Sequence, residues 1–183
     1  MHFVAAVTEE LGDLQGIAVG VGPVSAAVAT ARWLAEVRPK AVVLVGTAGA
    51  YEGGPAVGTV VAGRRIAHGD AAASAGLAYV PRPPPPLDSD PGLLAALGLT
   101  EVDVVGVAAI TTDLPAAKAL SVGGSVEHME AYGFAAACHG AGVPFAVVLG
   151  IANAVGPDAH AQWRGNRASA EAAARNAARR VIA

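Results

Sequence analysis

Several features that define other protein classes are scarce in this sequence. Its 183 residues include one cysteine, Cys138, which excludes an internal disulfide and a cysteine-based zinc site. Charged residues make up 15%, and the net charge of −3 comes without a basic cluster, so nucleic acid is not an expected partner. No apolar run reaches the roughly 18–20 residues of a membrane span. The N-terminus lacks a secretion-signal pattern. We therefore expect a cytoplasmic protein with no membrane partner.

What the sequence has in abundance is short apolar runs, and hydrophobic residues make up 54% of it. These runs are rich in valine and end at glycine, which is typical of buried parallel strands. The clearest lies at residues 40–45, and Ala-rich helical segments are predicted at 23–36 and 168–182. We expect one α/β domain over residues 1–183. The five histidines show no metal spacing, so each is expected to be structural or on the surface, and no metal site is predicted.

Polar residues recur where predicted strands end. They lie at residues 8–10, 47–49, 111–113 and at Asn153. Because α/β proteins bind ligands at the carboxyl ends of their strands, these groups together favour a small-molecule site. Two glycine-rich segments support this interpretation. The turn at 20–22 precedes a helix and suits an anion or polar ligand, and 46–49 is either a small polar nest or a plain tight turn.

The segment 125–138 combines carboxylates with an apolar, helix-forming series. Glu127 and Glu130 are three residues apart, so on a helical turn they would share one face. The first turn of a buried helix favours carboxylates through the helix dipole. Ligand hydroxyls would explain two acids in so apolar a setting, and a capped helix with solvated glutamates is the alternative.

The order of these motifs resembles the purine nucleoside phosphorylase/nucleosidase superfamily over nearly the whole chain. The most specific part is the sequence VEHME at 126–130 followed by VPF at 143–145. The resemblance implies a single-domain, three-layer α/β/α sandwich with a mixed, mostly parallel central sheet. It also implies a purine nucleoside substrate, water as co-substrate, no cofactor and a homo-oligomer.

Within the superfamily, the segments 153–158 and 162–164 are most similar to the futalosine hydrolases, which remove hypoxanthine from futalosine in a menaquinone pathway. The methylthioadenosine/S-adenosylhomocysteine nucleosidases are near neighbours. The latter carry Asp where Asn153 stands here, and a protonated Asp matches a 6-aminopurine. Asn153 instead matches a 6-oxopurine, because its amide donates to O6 and accepts from a protonated N7.

The resemblance also implies roles for the acids. Glu130 would bind the ribose 2′- and 3′-hydroxyls, Met129 would pack against the sugar, and Glu127 would help to hold the sugar or the water. Glu10, with Glu9 as the register alternative, would activate water for attack on C1′. The remaining predicted substrate-binding residues are Thr47, Ala48, Gly49, Thr111 and Thr112.

Three functions follow from the resemblance. The first is hydrolysis of a 6-oxopurine nucleoside, with methylthioadenosine/S-adenosylhomocysteine hydrolysis as a variant. The second is phosphorolysis, which needs arginines near the turn at 20–22 and Thr47. No arginine lies in that turn, and Arg64 and Arg65 are the nearby candidates in the middle of the chain. The third is a nucleoside-binding module without turnover.

Overall fold

The valine-rich runs form one eight-stranded sheet in the computed structural model, which describes residues 1–182. The strands are β1 (His2–Ala5), β2 (Gly16–Ala18), β3 (Val42–Ala50), β4 (Val60–His68), β5 (Leu87–Asp88), β6 (Thr100–Gly106), β7 (Val126–His128) and β8 (Phe145–Ala154). The helices are α1 (Thr8–Leu11), α2 (Pro23–Val37), α3 (Ala71–Ser74), α4 (Pro91–Leu97), α5 (Leu114–Leu120), α6 (Ala131–Ala141) and α7 (Ala159–Ala178), with short 3₁₀ turns at Ser121–Gly123 and Arg179–Val181.

The sheet is mixed and mostly parallel. Its order is β2-β1-β3-β7-β6-β4-β5, and β8 pairs with both β3 and β4. The pairs β1–β2, β1–β3, β3–β8, β4–β6 and β6–β7 are parallel, while β3–β7, β4–β5 and β4–β8 are antiparallel. The strands β3, β8, β4, β6 and β7 therefore form a closed ring of pairs, which the sequence did not predict.

Two hydrophobic cores lie on opposite faces of the sheet. On one face, α2 and α6 contribute Leu34, Phe134 and Cys138. On the other, α1, α4 and α7 contribute the smaller set that includes Leu94 and Ala174. Helices on both faces of a mixed sheet confirm the predicted three-layer α/β architecture.

Helix α7 approaches the sheet very closely at Gly150. A Cβ added there would lie 2.3 Å from the Ala170 carbonyl oxygen, so any larger residue would push the helix away from β8. This contact sets the distance between α7 and the strand ends. Among residues 1–182, no helix is long and apolar enough to cross a membrane.

Two local predictions were wrong. Residues 46–49 are not a turn or nest, because β3 continues through them to Ala50 and pairs with β8. The acids of 125–138 do not share a helical turn either. Glu127 lies on the short strand β7, and Glu130 is the N-cap of α6, which begins at Ala131. Pairing of β7 with β6 and β3 outweighs the local helical pattern.

Candidate active site

A cavity of about 290 Å³ opens beside the carboxyl ends of β1, β3 and β8. The structure brings most of the predicted site residues into its wall: Glu10, Thr47, Ala48, Gly49, Glu127, Met129, Glu130 and Asn153. Glu9, Thr111 and Thr112 are not part of this wall. Polar groups from separate strand ends thus meet at one edge of the sheet, as the strand-end pattern predicts.

Glu10 lies in the cavity wall, whereas Glu9 is exposed and accepts a hydrogen bond from the Thr8 hydroxyl. The Oε2 atom of Glu10 accepts from the backbone N–H groups of Ala6 at 3.0 Å and Val7 at 3.4 Å. Burial raises the pKa of Glu10, and the nearby negative charge of Glu130 raises it further. Glu10 is therefore a fixed carboxyl group with a strengthened affinity for protons.

Glu130 binds the glycine turn that precedes α2. Its Oε1 atom accepts a hydrogen bond of 2.6 Å from the Gly22 N–H. Gly20 and Gly22 have φ values of 84° and 93°, a region that favours glycine. The turn at 20–22 thus holds an anion, as its sequence indicates, but this anion is a carboxylate of the chain itself. Burial raises the pKa of Glu130.

Glu127 has both carboxylate oxygens engaged by the protein. Oε1 accepts from the Thr111 N–H at 2.9 Å, and Oε2 accepts from the Tyr51 hydroxyl at 2.9 Å. Burial raises the pKa of Glu127. These contacts explain the placement of Thr111: its backbone joins the site through Glu127. The exposed Thr112 lies in a neighbouring depression with Asp113, and Ile110 lines the cavity at this point instead.

His128 is a cavity residue that the sequence reasoning assigned to structure or surface. Its Nδ1 atom accepts from the N–H groups of Glu130 and Ala131, both at 3.1 Å, so Nδ1 carries no proton. The approach of Nδ1 to a Glu130 carboxylate oxygen at 3.5 Å is therefore not an ion pair. Burial lowers the pKa of His128 to about 4, so the ring is neutral at pH 7.

Gly46 allows His128 and Glu10 to approach the same part of β3. A Cβ added at Gly46 would lie 2.7 Å from His128 Nε2 and 3.4 Å from Glu10 Oε1. Since Nδ1 is an acceptor, the proton of the neutral ring lies on Nε2, on the side of Glu10. The ring thus joins the first turn of α6 to the neighbourhood of Glu10.

Asn153 owes its position to an irregularity in β8. Opposite β3, Ala48 pairs with Ile151 and Gly49 pairs with Asn153, so Ala152 is the extra residue of a bulge. Bulges re-aim side chains at functional edges of sheets. Asn153 Nδ2 donates to the Ala154 carbonyl at 3.0 Å, which leaves a second amide hydrogen and Oδ1 for a ligand.

The sequence reasoning missed one wall of the cavity, which comes from α7. Four residues of this helix line it: His160, Trp163, Arg167 and Glu171. The predicted helix began at 168, whereas α7 begins at Ala159. The spacing of these four residues is three, four and four, which is the signature of a single helical face. A search for that spacing would have found them.

The α7 wall is tied to the rest of the site by polar contacts. Trp163 Nε1 donates to the Thr47 hydroxyl at 3.0 Å, and the Arg167 guanidinium lies 5.2 Å from the centre of the Trp163 ring. Arg167 also pairs with Glu171 at 3.5 Å. By contrast Arg64, which the sequence offered as a phosphate ligand, pairs with Asp103 on β6, outside this cavity.

Comparisons with known proteins agree with this geometry. The family model of the phosphorylase superfamily matches residues 14–183. A futalosine hydrolase of Thermus thermophilus is 33% identical over 179 residues, covering 90% of this chain and 79% of that protein. A 5′-methylthioadenosine/S-adenosylhomocysteine nucleosidase of Exiguobacterium is 29% identical, covering 82% and 72%.

Solved structures share the fold at lower identity. The 5′-methylthioadenosine/S-adenosylhomocysteine nucleosidase of Neisseria meningitidis, in complex with methylthio-immucillin-A, superposes with a TM-score of 0.84 at 21% identity and covers 99% of this chain and 97% of its own. The futalosine hydrolase of Helicobacter pylori gives a TM-score of 0.82 at 15% identity, covering 99% and 94%. The resemblance found in the sequence is confirmed: the chain belongs to the phosphorylase superfamily.

Proposed function

We propose that this chain, a nucleosidase of the phosphorylase superfamily, hydrolyses the N-glycosidic bond of a 6-oxopurine nucleoside, with futalosine as the first candidate substrate and hypoxanthine as the released base. The observation that carries the proposal is the meeting of Glu10, Glu130 and Asn153 in one cavity. Glu10 supplies a general base, Glu130 supplies an acceptor for the ribose diol, and Asn153 supplies an amide that recognises the purine.

Glu10 is the proposed general base. Two backbone N–H groups fix its Oε2 atom, so Oε1 is left to accept a proton from water. The water oxygen attacks C1′, the bond from C1′ to the purine nitrogen breaks, and its electrons go to the base. The proton of the water passes to Glu10, whose raised pKa makes it a better base than a solvated glutamate.

Glu130 is the proposed ligand of the ribose hydroxyls. Its Oε1 atom already accepts the Gly22 N–H, but a carboxylate has further lone pairs for the vicinal diol. Burial raises the pKa of this carboxyl group, and its ionised form is a strong hydrogen-bond acceptor. Met129, which is partly buried against the cluster of Tyr51 and Val107, supplies apolar contact for the sugar. Glu127 acts differently, since its contacts fix Tyr51 and the backbone of Thr111.

Asn153 is the proposed reader of the base. Its free amide hydrogen donates to O6, and Oδ1 accepts from a protonated N7. An amide cannot deliver a proton as a carboxylic acid does, so the N7 proton comes from solvent. This chemistry favours hypoxanthine over adenine, and it supports futalosine over methylthioadenosine as substrate.

Product analysis tests the proposal against its alternatives. The chain is incubated with futalosine, inosine and methylthioadenosine, each with and without phosphate, and the free base is followed by chromatography. Hypoxanthine release that is independent of phosphate supports the proposal, and adenine release from methylthioadenosine alone selects the neighbouring activity. If a nucleoside binds but no purine base is released, the proposed enzymatic activity is wrong and the chain is a nucleoside-binding module.

Phosphorolysis is the second candidate because one arginine does reach the cavity. Arg167 lies in its wall near Trp163, where the sequence had offered only Arg64 and Arg65. An obligatory requirement for phosphate would select this activity.

The predicted homo-oligomer remains a prediction. Val24 and Val28 lie one turn apart on α2 and are 75% and 66% exposed, and Val21 beside them is also exposed. Contiguous exposed apolar groups often mark an interface. Sedimentation of the purified chain tests this expectation, and a monomer at all concentrations would refute it.

A further inference from the structure

One buried donor in the cavity has no acceptor within the protein. The side chain of His128 is 3% exposed and lines the cavity together with Glu10. Its Nδ1 atom accepts from the N–H groups of Glu130 and Ala131, so the ring proton lies on Nε2. Among residues 1–182, Nε2 makes no hydrogen bond. Because buried N–H groups are nearly always paired, this one indicates a ligand that the chain does not supply.

Glu10 offers the complementary acceptor. The N–H groups of Ala6 and Val7 engage its Oε2 atom, whereas Oε1 makes no hydrogen bond within the described part of the chain. The free donor and the free acceptor face the same point of β3. A Cβ added at Gly46 would lie 2.7 Å from His128 Nε2 and 3.4 Å from Glu10 Oε1. The two atoms therefore lie within about 6 Å of each other, without a direct hydrogen bond between them.

Glycine at position 46 keeps the space between these two groups open. The strand β3 is buried here, and the side chain of any larger residue would enter the gap between the imidazole and the carboxyl group. Hydrogen bonds to water measure about 2.8 Å, so one water joins polar atoms up to about 5.5 Å apart. The gap between Nε2 and Oε1 thus accommodates a single bridging water.

One donor and one acceptor at this separation suit a molecule that donates and accepts at once. Water and a sugar hydroxyl both do so. The proposed function, on which this step rests, assigns the ribose hydroxyls to Glu130 and the attacking water to Glu10. A water that donates to Glu10 and accepts from His128 has a second lone pair, which is free to attack C1′.

We propose that His128 is a catalytic residue that holds the attacking water through its Nε2–H group, opposite Glu10. The water passes one proton to Glu10 Oε1 and keeps the other as the new hydroxyl of the sugar. Its oxygen bonds to C1′ while the bond from C1′ to the purine breaks, and the electrons of that bond go to the base. The imidazole keeps its proton, since it orients the oxygen and stabilises the negative charge that develops there.

The other ring nitrogen makes this orientation rigid. Nδ1 accepts from two backbone N–H groups at the start of α6, both at 3.1 Å. These contacts also fix the tautomer, because a proton on Nδ1 would face two donors. The start of α6 therefore places the proposed water ligand, His128, beside the proposed diol ligand, Glu130.

Two substitutions separate the roles of the two ring nitrogens. His128→Asn places an amide oxygen near the position of Nδ1, so it keeps an acceptor for the backbone of α6 but loses the donor to water. His128→Gln places an amide nitrogen near the position of Nε2, so it keeps the donor and loses the acceptor. His139→Asn is the control, because His139 is an exposed residue of α6 outside the cavity wall.

We expect His128→Asn to keep the Tm of the wild type and to lose about 10- to 100-fold in kcat, with little change in KM. His128→Gln should lose several degrees of Tm but retain a higher kcat than His128→Asn, and the control should match the wild type. If His128→Gln is the slower variant, the ring only supports the start of α6 and the proposal is wrong. A wild-type kcat in His128→Asn also overturns it.

A sugar hydroxyl as the partner of Nε2 is tested with 2′-deoxyinosine and 3′-deoxyinosine. A loss in His128→Asn that persists on both substrates supports water as the partner. If the loss disappears on either one, Nε2 binds the hydroxyl that this substrate lacks, and the proposal is refuted.

A crystal structure of the wild type tests the water site without turnover, which separates a failure of this proposal from a failure of the proposed function. We expect electron density for a water within hydrogen-bonding distance of both His128 Nε2 and Glu10 Oε1, and its loss in His128→Asn. No such water in the wild type overturns the proposal even if inosine is hydrolysed. The same water in a chain that hydrolyses no nucleoside supports the site, although the proposed function then fails.

Discussion

The buried wall of the cavity and the α7 wall are built on opposite principles. In the buried wall, Glu10, Glu127, His128 and Glu130 are each at most 8% exposed, and each accepts hydrogen bonds from the protein. On the α7 wall, Arg167 is half exposed and makes one long contact with Glu171. Groups fixed by burial and hydrogen bonds suit the chemical step, whereas Arg167 lacks such support and has no part in the proposed hydrolysis.

The largest effect is expected when the proposed general base, Glu10, is replaced. Glu10→Gln keeps an acceptor for the Ala6 and Val7 N–H groups but cannot take a proton from water. We expect kcat to fall about 10²- to 10⁴-fold. Glu9→Gln is the matched control, because this neighbour lies outside the cavity wall, and it should retain wild-type turnover. Full activity in Glu10→Gln would remove Glu10 from the mechanism.

A second substitution separates the two acids of segment 125–138. Glu130→Gln weakens the proposed contact with the ribose diol, and we expect kcat/KM to fall about 10- to 100-fold. The Gln side chain still offers one oxygen to the Gly22 N–H, so the fold should be kept. 2′,3′-Dideoxyinosine, which lacks the diol, is the control ligand: the variant should lose nothing further on it.

Glu127→Gln should instead act on stability. One Gln oxygen cannot serve both the Tyr51 hydroxyl and the Thr111 N–H, so one buried donor is left unpaired. The expected cost is about 1–3 kcal/mol of unfolding free energy, which for a chain of this size lowers Tm by about 2–4 °C per kcal/mol. Calorimetry of the variant beside Glu130→Gln tests this difference, and equal Tm values would contradict a structural role specific to Glu127.

The preference for one purine over another should depend on Asn153. Asn153→Asp supplies a carboxyl group that can donate to N7 and accept from a 6-amino group. We expect the ratio of kcat/KM for inosine over adenosine to fall by about tenfold. An unchanged ratio would show that Asn153 does not read the base.

The smallest expected effect is a change in pH dependence. Burial and the charges of Glu130 and Glu171 raise the pKa of Glu10, so ionised Glu10 is lost as pH falls through a value above the usual range of a glutamate. The acid limb of the pH profile of kcat/KM should therefore lie at a higher pH than the usual pKa range of a glutamate predicts. Glu171→Gln removes one negative charge and should move that limb to lower pH. A shift to higher pH would contradict the electrostatic coupling of α7 to Glu10.

The sequence predicted the fold and the meeting of strand ends because both depend on local, repeating signals. Valine runs ending in glycine marked β3 and β8, and polar residues at those ends marked Thr47 and Asn153. The structure was needed to decide which glutamate of the first loop lines the cavity. Glu9 and Glu10 are adjacent in sequence, and only the turn of α1 determines which of them faces inward.

The strand β7 and the α7 wall were not predicted for a different reason. The segment 126–128 is extended because of its pairing with β6 and β3, which no local pattern shows. The first turns of α7 contain polar residues and Gly165, so they do not resemble the Ala-rich segment that was recognised as a helix. Contacts between residues far apart in sequence decide both cases: strand pairing holds 126–128, and Trp163 and Asn166 tie the first turns of α7 to Thr47 and to the Ala152 carbonyl.

The measurement that tests the central proposal most directly is the identity of the sugar product. The purified chain is given inosine and futalosine with and without phosphate, and the products are followed by chromatography for hypoxanthine and by ³¹P NMR for a sugar phosphate. We predict equal release of hypoxanthine in both buffers, with a free sugar as the second product. A sugar 1-phosphate, or no release of base without phosphate, would contradict hydrolysis by water activated at Glu10.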